Sequence, residues 1–221
     1  MAEAAEAVIA ALSPLLAEAG AGGGRLPPER ALAETLGIPR RRLRLALDEL
    51  ARRGVLFRRR GQGTYVAPPP PIDRTRPRLL AGRLNLAQLM DVRRQVEPRL
   101  AELAALNTPP EALATLEALM LRTRAATEPA EYDRADEVFH YRIAELAGNA
   151  LFLEIYDLIR QTRRESGWRA RRAEVNRPDL LAQLGTQHGR IFAAIASGDS
   201  AAAGRAQRAH MDFVAEAIGA S

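Results

Sequence analysis

The sequence contains no cysteine and no lysine, and only three histidines, His140, His188 and His210. Lack of thiols excludes a disulfide framework, a thiolate zinc site and a cysteine nucleophile, and it fits a reducing compartment. Any metal site must be built from His, Asp or Glu. Aromatic residues make up 5% of the 221 residues, and no apolar run approaches the roughly 18 residues of a membrane span. The opening Met1-Ala2-Glu3-Ala4-Ala5-Glu6 carries acids where a secretory signal wants positive charge, so a soluble, cytoplasmic protein is expected. At 47% hydrophobic and 27% charged the chain can bury a core, as one large domain or two smaller ones.

All 32 basic residues are arginine. Codon bias in a GC-rich genome is the plain reading of that choice, so position rather than number must carry the information. The formal charge of +5 conceals a division. Between Gly24 and Val66, eleven arginines stand against four carboxylates, a surplus of seven, whereas residues 78–221 are close to balanced. The break coincides with Ala67-Pro68-Pro69-Pro70-Pro71, a run that cannot continue a helix and favours an extended spacer. Three parts follow: a small basic domain over 1–67, a proline-rich linker over 68–78, and a larger domain over 79–221. Such a basic patch is the footprint of a polyanionic partner.

Within the basic domain, Pro27 to Leu36 reads as a short helix, Gly37 as its left-handed stop, and Pro39 as the start of a second helix. Leu43, Ala46, Leu47 and Leu50 form that helix's apolar stripe. Arg41 and Arg44 point away from it, with Arg40 and Arg42 flanking it near the helix start. In a helix laid in the major groove, N-terminal residues reach base edges, and arginine can bond guanine bidentately. Two short strand-like runs follow, Gly54 to Arg60 and Thr64 to Val66, joined through Gly61-Gln62-Gly63 as a hairpin wing. A winged helix-turn-helix is the expected fold.

Beyond the linker the pattern is helical throughout. Apolar residues recur at helical spacing near 85–106, 110–126, 130–147, 151–167, 179–196 and 200–218, predicting an all-α bundle of about six or seven helices. Asp136 and His140 are four apart on one helix, hence on one face. His188 and His210 each lie eleven residues from Asp199, so in an antiparallel hairpin they stand at one height. Three imidazoles and a carboxylate suit Zn²⁺, Ni²⁺ or Mn²⁺, with further positions for water or a ligand oxygen. Hydrogen-bonded core histidines are the competing interpretation. Arg160, Arg163, Arg164, Arg169, Arg171 and Arg172 read as a solvated or dimer-facing surface.

The motifs Leu26-Pro27-x-Glu29-Arg30-x-Leu32-Ala33, Leu36-Gly37-Ile38, Arg40-x-x-x-Arg44-x-Ala46-Leu47 and Gly61-x-Gly63-Thr64-Tyr65-Val66 resemble the GntR family of bacterial transcription regulators. The resemblance covers nearly the whole small domain and implies DNA contacts by Arg30, Arg40 and Arg44, with Gly61, Gln62 and Gly63 at the wing tip. Pro28 and Pro39 depart from it, standing where the family has Ser or Thr. Residues 85–218, with Asp91 to Pro98, Asp136-x-x-x-His140, Gly148-Asn149, Gln187-His188 and His210, resemble the FCD effector domain of the FadR-like subgroup. That resemblance implies metal ligation by Asp136, His140, His188 and His210, and an effector cavity reached by Arg93 and Asn149. From sequence alone Asn149 could equally be a helix cap, and Arg93 a partner in an ion pair.

The expectation is a homodimeric regulator, a repressor rather than an enzyme. It binds double-stranded, pseudo-palindromic operator DNA and responds to a small carboxylate effector at a divalent metal, with Zn²⁺ first and Ni²⁺ or Mn²⁺ behind it. Two rivals are a metal-dependent hydrolase with an accessory DNA-binding domain and a constitutive DNA binder with structural histidines.

Overall fold

The computed structural model describes residues 2–21, 24–59, 63–68, 75–175 and 177–220. The chain divides into two compact units, Met1–Pro69 and Pro70–Ser221.

The first unit contains α1 (Ala2–Ala21), α2 (Glu29–Leu36), α3 (Arg40–Arg52), β1 (Phe57–Arg59) and β2 (Gly63–Tyr65). Pro28 and Pro39 cap α2 and α3 without a side-chain hydrogen bond; their φ values, −54° and −56°, already suit a helix start. Gly37 ends α2 at φ 63°, a left-handed position that glycine takes without Cβ strain, and Ile38 N–H returns to Ala33 O at 3.0 Å. Leu43, Ala46, Leu47 and Leu50 of α3 are buried, as their spacing predicts. They pack with Leu26, Leu32 and Leu56, and with Val8 and Leu12 of α1. Sequence patterning had not marked α1, whose alanine-rich stretch is interrupted by Pro14. The wing is antiparallel, with Phe57 opposite Tyr65, Arg58 opposite Thr64 and Arg59 opposite Gly63.

The second unit is all-α among the described residues: α4 (Thr75–Ala81), α5 (Leu86–Asn107), α6 (Pro110–Ala125), α7 (Pro129–Leu146), α8 (Ala150–Glu165), α9 (Trp168–Val175), α10 (Pro178–Ala196) and α11 (Ser200–Ala217). Six of these match the six periodic segments. The short helices α4 and α9 are additional. α4 starts inside the expected 68–78 linker, because Pro77 falls in a first helical turn, where a missing N–H costs no intrahelical bond. α5 opens with a capping box, in which Asn85 Oδ1 accepts from Gln88 N–H at 2.8 Å and Gln88 Oε1 accepts from Asn85 N–H at 3.1 Å. α11 lies along α5, α10 packs between α11 and α6, and α7 lies against α5 and α6. One apolar cluster gathers Leu116, Phe139, Ile143, Ile191 and Ile195, and another Met90, Tyr132, Trp168, Leu184, Met211 and Val214. A polar knot on α7, α10 and α11 lies amid these apolar layers.

Leu47 is fully buried in α3. Leu47→Ala is expected to destabilise the first unit by about 2–5 kcal/mol through lost burial and a residual cavity. Trp168, the only tryptophan, lies in the second unit. In guanidinium titrations the circular-dichroism transition of the first unit should therefore shift while Trp168 fluorescence reports an unchanged midpoint.

Candidate metal centre and nucleic-acid interface

Asp136 and His140 come from α7, His188 from α10 and His210 from α11, and one donor atom from each falls within a set no wider than 4.8 Å. All four residues are buried. His188 Nε2 stands 3.2 Å from His140 Nε2 and 3.3 Å from His210 Nε2, and Asp136 Oδ1 is 3.6 Å from His140 Nε2 and 3.5 Å from His188 Nε2. Ligands about 2.1 Å from a common tetrahedral centre lie about 3.4 Å apart, so the spacing suits a single ion.

The outer hydrogen bonds assign the protons. Thr123 Oγ1 donates to Met120 O at 2.7 Å, so it accepts from His188 Nδ1–H at 2.9 Å. Gln187 Oε1, an acceptor only, takes His210 Nδ1–H at 2.8 Å. Both rings therefore present bare Nε2 lone pairs to each other at 3.3 Å with no proton between them. That arrangement is repulsive alone and suits a cation. Burial, reinforced by His140, pushes His188 down to about 3, and burial with His188 and His140 pushes His210 well below the usual range, so both stay neutral near pH 7. Burial alone would raise the Asp136 carboxyl, but the His140 hydrogen bond and charge, with Arg172 and Arg163, hold it well below the usual carboxylate range. The neutral His188 and His210 rings beside an ionised Asp136 carboxylate make a donor set that fits a divalent metal. Spacing had pointed to these four residues; Thr123 and the orienting role of Gln187 had no signal short of three-dimensional packing.

The two residues implied for an effector cavity each have partners of their own within the protein. Arg93 is buried, with Nε 2.6 Å and Nη2 3.4 Å from the two carboxylate oxygens of Glu97, so its fork already holds the protein's own carboxylate. Glu97 Oε2 also accepts from Gln207 Nε2 at 3.0 Å and lies 3.9 Å from His140 Nδ1. Asn149 is exposed, and its Oδ1 accepts from Leu151 N–H at 3.0 Å and Phe152 N–H at 3.1 Å. It is the cap of α8 and takes no part in the buried cluster, because both helix-start amides claim its acceptor.

The solvated arginine surface is also corrected. Arg160, Arg163 and Arg172 are 1%, 6% and 3% exposed. Arg160 and Arg163 are buried beside carboxylates of α7 and α8. Arg160 bonds Glu137 at 2.8 Å and Asp157 at 2.7 Å, and Arg163 Nη1 lies 3.5 Å from Asp136 Oδ2.

On the first unit, Arg40, Arg41, Arg42 and Arg44 are all exposed along the start of α3, opposite or beside its buried stripe. Arg44 donates from Nε and Nη2 to Glu29 Oε2 at 3.3 and 3.2 Å, tying α3 to α2, and Arg58 of the wing reaches Glu29 at 3.9 Å. Arg30 makes an exposed pair with Glu34 at 3.3 Å. Gly61 and Gln62 lie outside the described residues. Gly63 has φ 115°, and a Cβ there would meet Arg25 Nε at 3.2 Å, so Arg25, singled out by no motif, flanks the wing.

Acid is expected to weaken the second unit once metal is stripped by a chelator. The unfolded chain protonates histidine near 6.5 but folded His188 only near 3, so the unfolded state binds more protons across that interval. Thermal melting of chelated protein should fall steadily as pH drops from about 6.5 toward 3; a melting temperature flat over that window would contradict the neutral-imidazole assignment.

Comparison with known proteins agrees with this geometry. The FCD domain profile matches residues 88–213, and that of the bacterial regulatory proteins of the gntR family matches residues 4–66. An Escherichia coli K12 protein named, in terms its name marks as provisional, as the L-lactate dehydrogenase operon regulatory protein is 31% identical over 203 residues, covering 87% of this chain and 77% of its own length. The HTH-type transcriptional regulator LutR of Bacillus subtilis is 26% identical, over 89% of this chain and 92% of its own. Among solved structures, a Streptococcus agalactiae GntR protein aligns with a TM-score of 0.51 at 26% identity, covering 96% of this chain and 99% of that one. With a helix-turn-helix and wing in one unit and an all-helical FCD domain in the other, the chain belongs to the GntR family and is a DNA-binding transcriptional regulator.

Proposed function

We propose that the chain is a homodimeric repressor whose grip on a pseudo-palindromic operator is set by a small organic acid bound at a metal centre in the second unit. The observation that carries this reading is the meeting of two unprotonated Nε2 lone pairs, from His188 and His210, beside His140 and the Asp136 carboxylate. Asp136, His140, His188 and His210 would hold a divalent ion, Zn²⁺ first and Ni²⁺ or Mn²⁺ next, which would supply open positions for a carboxylate oxygen. Thr123 and Gln187 fix the tautomers of His188 and His210 and so aim both lone pairs. A family relative named for the L-lactate dehydrogenase operon is consistent with an acid effector.

In the first unit, Arg40, Arg41 and Arg44 would face the major groove from the start of α3. Arg30 of α2 and the Gly61-Gln62-Gly63 tip would meet the backbone or the minor groove. Arg44 leaves Glu29 for a base edge at little cost, since both partners of that pair are partly solvated. Two such units on a two-fold axis would read two half-sites. The acid then acts by binding one arrangement of the dimer better than the other, and operator affinity changes by that difference.

Elemental analysis and operator titrations test this together. The purified protein should carry about one metal ion per chain, and small carboxylates should release it from operator only when that metal is present. His188→Ala should lose both metal and acid response while still binding operator. A metal-free protein, or one whose operator affinity ignores every carboxylate with metal bound, overturns the reading. Arg44→Ala should cost about 1–3 kcal/mol of discrimination at one base position; equal losses on operator and random DNA would remove Arg44 from base contact.

A further inference from the structure

Arg172 of α9 is 3% exposed, yet its Nε and Nη2 have no hydrogen-bond partner among the described residues. Its nearest carboxylate, on Asp133, is 3.6 Å from Nη2, beyond hydrogen-bond reach. A buried guanidinium with two idle donors is costly, and proteins retain such groups where a ligand completes them. Two further guanidiniums lie close by. The guanidinium carbons of Arg93, Arg163 and Arg172 lie 4.8, 5.5 and 5.8 Å from the centroid of the one Trp168 ring. Arg93 is taken by Glu97. Arg163 has Asp136 at 3.5 Å, and Asp136 is the carboxylate of the metal-ligand set. Arg172 also stands over the ring of Tyr132, which is stacked on His188 with an interplanar angle of 8°. Tyr132 thus neighbours both the idle guanidinium and His188 of the candidate ligand set.

We propose that Arg172, with Arg163 beside it on Trp168, clamps a second anionic group of the effector, so that the effector is a compact dicarboxylate. The inference rests on the metal-centre reading for the place of the first carboxylate. Only the second is assigned here. The one carboxylate within 4 Å of Arg172 among the described residues is the partly exposed Asp133, and a ligand whose single negative charge sits at the metal would leave the two Arg172 donors unmet. Arg172 offers Nε and Nη2 as two donors to one carboxylate, the fork that Arg93 has already given to Glu97. The proximity of Arg163 to Asp136 keeps the two anionic ends close, which suits three- or four-carbon diacids.

Calorimetric titration of the full-length, metal-loaded protein with malonate and succinate, against propionate, butyrate and the half-amide succinamate, tests the clamp. At least one diacid should bind ten-fold or more tighter than its monoacid and half-amide counterparts. Arg172→Gln should erase that ratio while leaving metal content and monoacid affinity unchanged, and Arg172→Lys should restore part of it. Equal affinities for mono- and diacids, or a ratio that survives Arg172→Gln, overturn the clamp. The wild-type comparison decides the matter even if the variant fails to fold. Elemental analysis separates the two readings. Diacid preference that depends on Arg172 in a metal-free protein would sink the metal centre and uphold the clamp. Bound metal with no diacid preference would do the reverse.

Discussion

The second unit is organised around two histidine nitrogens that cannot both be protonated where they meet. Thr123 and Gln187 take the Nδ1 protons of His188 and His210, so the Nε2 lone pairs converge at 3.3 Å. Such a contact is costly in a dry interior unless a positive charge lies between the donors. Helix packing enforces it. α6 brings Thr123, α10 brings His188 and Gln187, and α11 brings His210, while α7 supplies Asp136 and His140 from adjacent turns. The apolar clusters around Phe139 and Met211 hold these helices in place, and their burial supplies stability that the polar knot consumes.

Arginine does opposite work in the two units, and its surroundings decide which. On α3 the guanidiniums of Arg40, Arg41 and Arg42 meet water, and no carboxylate stands within salt-bridge reach among the described residues, which leaves their charge available to a polyanion. On α8 and α9 the same side chain is buried against Glu137, Asp157 and Trp168, where each unmet donor carries a penalty. A net-charge count treats both groups alike. Their energetic meaning diverges because Coulomb attraction and desolvation grow together as water is removed.

That divergence marks the limit of what could be read from the sequence. The buried stripe of α3, the left-handed Gly37 and six of the helices of the second unit were legible, since each depends on local periodicity or a local backbone demand. The grouping of Asp136, His140, His188 and His210 was legible because a four-residue spacing and two equal distances from a turn are local quantities too. The fate of Arg163 and Arg172 was not, because their partners lie on α7 and across Trp168, at contacts that no spacing within α8 or α9 encodes. Asn149 and Arg93 show a related limit. Each has the chemistry for a ligand contact, but a competing partner close in sequence, the α8 amides for one and Glu97 for the other, satisfies it first. α1 was missed because alanine-rich sequence with an internal proline gives a weak periodic signal until Val8 and Leu12 find α3.

The distribution of satisfied and unsatisfied donors also bears on where a ligand would exert its leverage. The candidate ligands and their orienting partners draw on α5, α6, α7, α10 and α11, and outside the converging Nε2 lone pairs most polar atoms in that set have a counterpart, with Gln207 Oε1 an exception. A ligand adds little to helices already fixed in this way. α9 differs: it packs against α7 and α8, and its Arg172 holds two buried donors without acceptors. An anion reaching Arg172 would change the energy of α9 more than that of any helix in the metal knot, because it would replace unmet desolvation with charge-assisted hydrogen bonds. In the proposed regulator, effector binding would thus be felt first as a tightening of α9, and differential stabilisation of one element is what a ligand needs in order to shift a population.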